Sequence, residues 1–308
     1  MKHPRITVFG SINFDILFKQ DRLNNIGETI IVKDAIVCGG GKGANQAVQI
    51  ARLGIIPRLI APIGNDVLGQ SLIEELKQYG VPVENLLQKP GSSGIGIVRF
   101  LNDGSLHSTV IEGANGKLTL QDVEASRPVL ENCDFLLAQL ELPVETVEQA
   151  IEIATKSGAK IVLNTAPARP LSEKTLTALD ILVANEVEAG YYLGAPYTNG
   201  DIFEGLGLEF SHRYGLDLVV TLGPQGSMLF SAGKVTHIPA LDVPVVETTG
   251  AGDSYVGALL VALAEGRSIL DACRFASSAS SITIGSIGGQ RSMPDRISVL
   301  QVYREYFT

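Results

Sequence analysis

Two glycine-bearing stretches carry residue types that could do chemistry. In "ETTGAGDSYVGALLVALAEG" (247–266), Val256, Leu259, Leu260 and Leu263 recur at helical spacing and Gly266 can stop the helix, which puts "GAGD" at its N-terminus. Successive amides of Gly250, Ala251 and Gly252 would face an anion there, reinforced by the positive end of the helix dipole. Asp253 is the acidic group of this turn. A carboxylate beside a phosphate is repulsive unless it has a task, and taking a proton from an attacking hydroxyl is such a task. The plainer reading is a first-turn carboxylate that only stabilises its helix.

The second stretch, "CGGGKGANQA" (38–47), sets four glycines, a lysine and an asparagine around the start of the apolar stripe Ala44, Ala47, Val48 and Ala51, and Gly54 can end that helix. As a P-loop it fails, because Lys42 is followed by Gly43 instead of Ser or Thr and the G-x-x-x-x spacing is missing. Gly39, Gly41 and Ala44 match the letter of a dinucleotide fingerprint, but the strand before them is not the first of a βαβ unit, and such a match alone is weak. The third reading is bare backbone that a polyhydroxylated ligand can approach closely, with Lys42 and Asn45 presenting polar groups to its hydroxyls.

Such groups need a scaffold. From about residue 130 onward, short apolar runs ("FLLAQL" 135–140, "KIVLN" 160–164, "ILVAN" 181–185, "LVVTLG" 218–223) alternate with helix-like segments. Continuous hydrophobicity suggests strands covered on both faces, hence an α/β three-layer sandwich around a mostly parallel sheet. Between the first two runs, Val147, Ala150, Ile151 and Ala154 share one helical face before Gly158, a plausible C-cap. Each run ends in polar groups: Ser11 and Asn13, Gln139 and Glu141, Asn164, Asn185 and Glu188, Thr221. Ligands of open α/β sheets bind beyond the carboxyl ends of strands, so these positions should line one crevice. Residues 14–37 and 94–112 lack helical periodicity, carry β-branched residues and include the turn signal "NDGS", which predicts a small β-sheet lid. An edge extension of the main sheet is the alternative. No repeat or linker divides the 308 residues, so a single domain is expected.

Composition narrows the partners. A formal charge of −9 without any Lys/Arg run argues against nucleic acid and anionic membranes. Cys38, Cys133 and Cys273 show no C-x-x-C spacing, and His3, His107, His212 and His237 stand alone, so neither a disulfide framework nor a zinc site is suggested and a reducing cytoplasm is expected. The N-terminus enters "RITVFG" without a signal-type apolar region, and "ALLVALA" is too short to span a bilayer.

Taken in order, "GSINFD", "GGKGANQA", "QLE", "NTAPAR", "NEVEA", "TLGPQG" and "TTGAGDSY" resemble the ribokinase (PfkB-type carbohydrate kinase) family over nearly the whole chain, and its ribokinase branch more than its fructokinase or nucleoside-kinase branches. The resemblance implies transfer of the γ-phosphoryl of ATP to the 5-hydroxyl of D-ribose, with magnesium, on a sandwich whose β-sheet lid is also the usual homodimer interface. It further implies that Asn13, Asp15, Gly41, Lys42, Asn45 and Glu141 hold the sugar together with Asp253, the general base. Gly250, Ala251 and Gly252 would form the anion hole, Asn185 and Glu188 would organise Mg2+ through water, Thr221, Gly223 and Gly226 would contact the nucleotide, and Ser277 would approach the adenine.

Departures from the family pattern qualify this. Glu247 stands where the family carries an aspartate that helps bind an activating K+ with carbonyls around Thr249, Thr283, Ser286 and Gly288 and the hydroxyl of Ser292. The extra methylene leaves three outcomes open: the carboxylate reaches the ion, repositions it or abolishes the site. Gly39 and Gly96 replace larger residues, which predicts a roomier sugar pocket. Another pentose, a hexose or a nucleoside therefore stays open as substrate, since a methyl group changes discrimination by only about 1–3 kcal/mol. A sugar sensor without turnover is the reading from another class, and the set Asp253, Asn185 and Glu188 speaks against it.

Overall fold

Apolar runs become strands buried on both faces. In this computed structural model, which describes residues 4–102, 106–197 and 200–307, the strands are β1 (Ile6–Phe9), β2 (Asn13–Gln20), β3 (Ile36–Gly40), β4 (Arg58–Gly64), β5 (Leu86–Lys89), β6 (Gly94–Leu101), β7 (Leu106–Ile111), β8 (Phe135–Gln139), β9 (Lys160–Asn164), β10 (Ile181–Asn185), β11 (Asp217–Thr221), β12 (Ser227–Ser231) and β13 (Lys234–Ile238). Nine of them form one sheet in the order β13-β12-β11-β10-β9-β8-β1-β4-β5. From β11 to β5 all neighbours are parallel, and β12 and β13 add an antiparallel hairpin at one edge.

Neighbouring residues of one strand feed opposite cores, as a sheet covered on both sides requires. Val8 and Leu137 pack with Val256, Leu259 and Phe275 on one face, while Phe9, Leu136 and Ala138 pack with Val147, Ile151 and Phe210 on the other. The helices Lys42–Arg52, Ala251–Ala264 and Ile269–Thr283 supply the first layer, and Val144–Lys156 and Gly200–Tyr214 belong to the second. The expected helix before Gly158 is therefore present, with Ser157 at its C-cap and Gly158 at φ 82°.

A second sheet of four strands, β3-β2-β6-β7, stands apart from the first. Its central pair β2–β6 is parallel and the flanking pairs are antiparallel. This is the small lid expected from 14–37 and 94–112, not an edge extension, although no strand runs between Gln20 and Ile36. The turn expected at "NDGS" falls largely on residues 103–105, outside the described residues. Only Gly10, Ser11 and Ile12 separate β1 from β2, so the lid begins at the end of a core strand. Among the described residues no helix is long and apolar enough to cross a membrane.

Close approach, rather than turn formation, explains one pair of glycines. A Cβ on Gly43 would lie 2.6 Å from the carbonyl carbon of Gly10 and from the amide of Ser11, so the helix Lys42–Arg52 starts in direct backbone contact with the end of β1. Gly205, in the helix Gly200–Tyr214, has open space around its added Cβ. Gly43→Ala should therefore lower unfolding stability by about 1–3 kcal/mol through overpacking, whereas Gly205→Ala should raise it by about 0.5–1 kcal/mol. Urea denaturation midpoints of the two variants check this; equal effects would contradict the contact.

Candidate active site

The chain leaves β1 for β4 on one side and later returns to place β8 on the other, so the order of connection reverses between β1 and β8. Crevices of open α/β sheets lie beyond the carboxyl ends of strands at such a point. Ser11 follows β1 and Glu141 follows β8, and the Ser11 hydroxyl donates to Glu141 Oε2 across the gap. The same carboxylate oxygen accepts from the Lys42 amide at 3.1 Å, which ties the N-terminus of the helix Lys42–Arg52 to the crevice. Gly41 caps that helix at φ 85°, in the left-handed region that suits glycine.

Asp253 sits in the first turn of the helix Ala251–Ala264 and is buried. Its two oxygens are held by different residues of the opposing helix: Asn45 Nδ2 donates to Oδ2 and Gln46 Nε2 to Oδ1, each at 2.9 Å. Burial holds its pKa above the ordinary carboxylate value, with Lys42 and the two amide hydrogen bonds pulling the other way and Glu141 adding to the rise. Burial also opposes the charge on Lys42, yet the combined field of Asp253, Glu141, Glu188 and Asp15 keeps its pKa above the normal lysine value. One ammonium thus stands among four carboxylates.

Asp15, on β2, is pushed up to about 7, first by burial, then by Glu141 and Asp253, against the pull of Lys42. Its Oδ1 and the Oδ1 of Asn45 are buried with no partner, and unpaired buried oxygens at a crevice mark places where a ligand's hydroxyl groups can donate. Asn13, buried beside them, has its Oδ1 bonded by Asn115 Nδ2 at 2.8 Å. The roomier pocket expected from Gly39 and Gly96 is corrected here. A Cβ on Gly96 would lie 2.2 Å from Asp15 Oδ1, and one on Gly39 would lie 2.9 Å from Gln290 Oε1 and 3.0 Å from Glu75 Oε2. These glycines make room for side chains of the protein itself, with Gly40, whose Cβ would lie 1.9 Å from Asp15 Oδ2, completing the bed under Asp15.

Two adjoining cavities continue from this point. One, of about 130 Å³, is lined by Lys42, Asn185, Glu188, Gly250, Gly252 and Asp253, among others. The other, of about 150 Å³, is lined by Gly223, Gly226, Ala251, Tyr255 and Ser277, and the two share Thr221 and Gly252. Residues expected to meet the nucleotide therefore lie next to those expected to meet the acceptor. One detail of the anion hole is corrected: the Ala251 amide donates to the Thr248 carbonyl at 3.2 Å, because Gly250, not Ala251, is the helix cap. The first-turn amides of Gly252 and Asp253 are the ones an α-helix leaves without intrahelical acceptors.

Asn185 and Glu188 turn out to form a capping box at the start of the helix Glu186–Leu193. Asn185 Oδ1 accepts from the amides of Val187 and Glu188 at 3.0 and 2.8 Å, and Glu188 Oε2 accepts from the Asn185 amide at 3.0 Å. Burial raises the Glu188 pKa, the Asn185 amide and Lys42 lower it, and Asp253 raises it further. Its remaining oxygen can meet a hydrated ion in the cavity, which fits Mg2+ held through water, a cation that keeps several waters of its own. Among the described residues no three His, Cys, Asp or Glu side chains are placed to hold a metal directly. The set expected for a monovalent ion, Glu247, Thr249, Thr283, Ser286, Gly288 and Ser292, lies where the segments 247–250 and 283–292 meet beside Gly250; the Glu247 carboxylate accepts from the Thr249 and Gly288 amides, and the Thr249 hydroxyl is buried with no partner.

Several residues escaped sequence reasoning. Gln46 links Asp253 to Asn164 Oδ1 at 3.0 Å and accepts from Gln139 Nε2 at 2.6 Å, so amides from two strand ends orient the group that orients Asp253. Asn115 holds the Ile12 backbone through both its amide atoms and Asn13 through one. The available signal for Gln46 was two consecutive amide residues, Asn45 and Gln46, in the first turn of a helix with an otherwise apolar stripe.

Known proteins resemble this chain over nearly its whole length. The family model described as pfkB family carbohydrate kinase matches residues 3–296. The chain is 34% identical to the ribokinase of Haemophilus influenzae over 298 residues, 96% of this chain and 97% of the relative. It is 29% identical to the deoxyribokinase of Salmonella typhimurium over 306 residues, 98% of each. The structure of Arabidopsis thaliana ribokinase complexed with ribose and ATP superposes with a TM-score of 0.87 at 31% identity, covering 100% of both chains. With sheet order, lid and family match all in agreement, the chain belongs to the pfkB family of carbohydrate kinases and is a sugar kinase of that type.

Proposed function

We propose that this kinase transfers the γ-phosphoryl group of ATP to the 5-hydroxyl of D-ribose, with Asp253 as general base. The observation that carries the reading is the position of Asp253, hydrogen-bonded to Asn45 on the lysine-bearing helix and lining the cavity that adjoins the Thr221–Ser277 pocket. In that reading Asn13, Asp15, Asn45 and Glu141 accept or donate to the sugar hydroxyls, and Gly41, where a Cβ would lie 2.7 Å from the Asn13 amide, lets the start of the lysine-bearing helix approach the Ile12–Asn13 backbone beside them. The 5-hydroxyl oxygen attacks the γ-phosphorus, its proton passes to Asp253, and the bond from the γ-phosphorus to the bridging oxygen breaks to release ADP. Lys42 and the first-turn amides of Gly252 and Asp253 face the charge that spreads over the phosphoryl oxygens. Mg2+ would supply further positive charge across the phosphates, with Glu188 and Asn185 ordering its waters. Thr221, Gly223 and Gly226 cradle the nucleotide, and Ser277 meets the base.

The named relatives include both ribokinases and deoxyribokinases, so the acceptor is the finer part of the proposal. A homodimer through the lid is supported by the exposed apolar side chains Val37, Val110 and Ile111 on lid strands β3 and β7. A reducing, cytoplasmic location is supported by three cysteines that are buried and unpaired.

Asp253→Asn should lower kcat by about 10²- to 10⁴-fold while ribose and ATP still bind, which calorimetry and ADP release measure together; wild-type turnover in this variant would remove the base. With ribose, 2-deoxyribose, fructose and adenosine compared by ADP release, ribose should have the highest kcat/KM, and a tenfold preference for adenosine would replace ribose by a nucleoside. The free protein's Asp15 must be ionised to accept two hydroxyl groups, so the KM for sugar should rise as pH falls below about 7, and Asp15→Asn should flatten that dependence. The sign for stability is the reverse. The folded pKa lies above the unfolded one, so the ionised Asp15 strains the fold as pH rises from about 4 to about 7.

A further inference from the structure

A side-chain amide offers a donor at one end and an acceptor at the other, so the end it shows a ligand depends on what holds the opposite end. Asn115, in the short helical turn that follows β7, is buried and meets both backbone groups of Ile12. The Ile12 N–H can only donate, and Asn115 Oδ1 accepts from it at 3.1 Å. The Ile12 carbonyl can only accept, and Asn115 Nδ2 donates to it at 3.0 Å. With both ends assigned by the backbone, the second hydrogen of Nδ2 goes to Asn13 at 2.8 Å, and the atom that receives it must be Oδ1. Asn13 therefore turns its own Nδ2 away from Asn115, and that atom has no acceptor among the described residues.

Gly94 leaves the space that this lock needs: a Cβ there would lie 2.3 Å from both Asn115 Nδ2 and Asn13 Oδ1. Asn13 and Asp15 stand on one face of the lid, two residues apart on β2 and paired with Gly94 and Gly96 of β6. Asp15 Oδ1 is buried without a partner, so it can only accept while the carboxyl is ionised. On the helix Lys42–Arg52, Asn45 gives its Nδ2 to Asp253 Oδ2, and an ionised carboxylate accepts only. The unpaired Oδ1 of Asn45 is thereby committed as an acceptor. The crevice thus carries a fixed polarity, with a donor at Asn13 and acceptors at Asp15 and Asn45.

We infer that Asn115 is a positioning residue that sets sugar specificity: by locking the Asn13 amide it makes Asn13 a donor, so the hydroxyl in front of Asn13 must accept a hydrogen bond, while those in front of Asp15 and Asn45 must donate one. The inference rests on the sugar-kinase reading for its ligand, but the orientation of the Asn13 amide does not.

Fluorine separates the two demands, because it keeps an acceptor where a hydroxyl stood but cannot donate. Calorimetry without nucleotide measures the binding of D-ribose, of its deoxy analogues at carbons 1, 2 and 3, and of the matching fluoro analogues, with ADP release followed alongside. At the carbon whose hydroxyl faces Asn13, the fluoro sugar should bind about tenfold more tightly than the deoxy sugar, since there fluorine answers a buried donor otherwise left unpaired. At the other carbons fluorine should bring no gain. Equal affinities of fluoro and deoxy sugars at every carbon would overturn the inference. In Asn115→Leu, which removes the lock, and in Gly94→Ala, which crowds it, the fluoro preference should fall to about twofold or less. A preference kept in both variants, with thermal unfolding showing them folded, would overturn the role of Asn115. Neutron diffraction from crystals of the free wild-type protein exchanged into heavy water should place the deuterium atoms of Asn13 on the side-chain atom turned away from Asn115; deuterium on the atom facing Asn115 would overturn the lock even if neither variant folds. Should no sugar bind or be phosphorylated, the kinase reading fails while the neutron map still decides the Asn13 amide.

Discussion

A buried carboxylate held at both oxygens by the opposing helix is the constraint on which the site depends. Asp253 would be expensive to bury ionised without partners, and Asn45 and Gln46 supply them from the first turn of the helix Lys42–Arg52. That helix must therefore begin at one depth relative to β1, and the backbone contact between Gly43 and Gly10 sets it. Lys42 then lies among Asp253, Glu141, Glu188 and Asp15, where its charge is held by four carboxylates that would otherwise repel one another. On the proposed roles, the arrangement couples the sugar side of the crevice to the nucleotide side through one helix start. It also gives an acidic chain a localised cation where phosphate would arrive.

Much of this was legible in the sequence because strands buried on both faces write continuous apolar runs. The runs at 135–140, 160–164, 181–185 and 218–223 all became parallel neighbours in one sheet, and their polar ends face one crevice. The two glycine segments were readable because each precedes an apolar stripe at helical spacing, which fixes a helix start and hence a set of amides. The lid was visible from β-branched residues without helical periodicity, although its strands cover less of 14–37 than the whole segment.

What the sequence hid were side chains whose work is to hold other side chains. Gln139 and Asn164 read only as polar strand ends lining the crevice, and Gln46 and Asn115 were not singled out; none is charged, and their partners lie about a hundred residues or more away in several cases, as with Asn115 and Asn13 or Gln46 and Asp253. Small residues misled in a related way. Gly39 and Gly96 looked like empty space in a pocket, but the space is filled by Glu75, Gln290 and Asp15. Likewise Asn185 and Glu188 read as a metal pair, and the backbone uses them first as a capping box. The Gly288 amide meets the Glu247 carboxylate from 41 residues away, a pairing that no spacing reveals.

The central claim, that Asp253 acts as a base whose proton affinity burial raises and Lys42, Asn45 and Gln46 hold down, is tested most directly by the pH dependence of the single-turnover phosphoryl-transfer rate in the wild type and in Gln46→Met. Loss of the Gln46 hydrogen bond removes a contact that favours the ionised form of Asp253, so the acid limb of the profile should move to higher pH. An acid limb that stays where it is in the wild type, in a variant that still folds and binds sugar, would contradict the account.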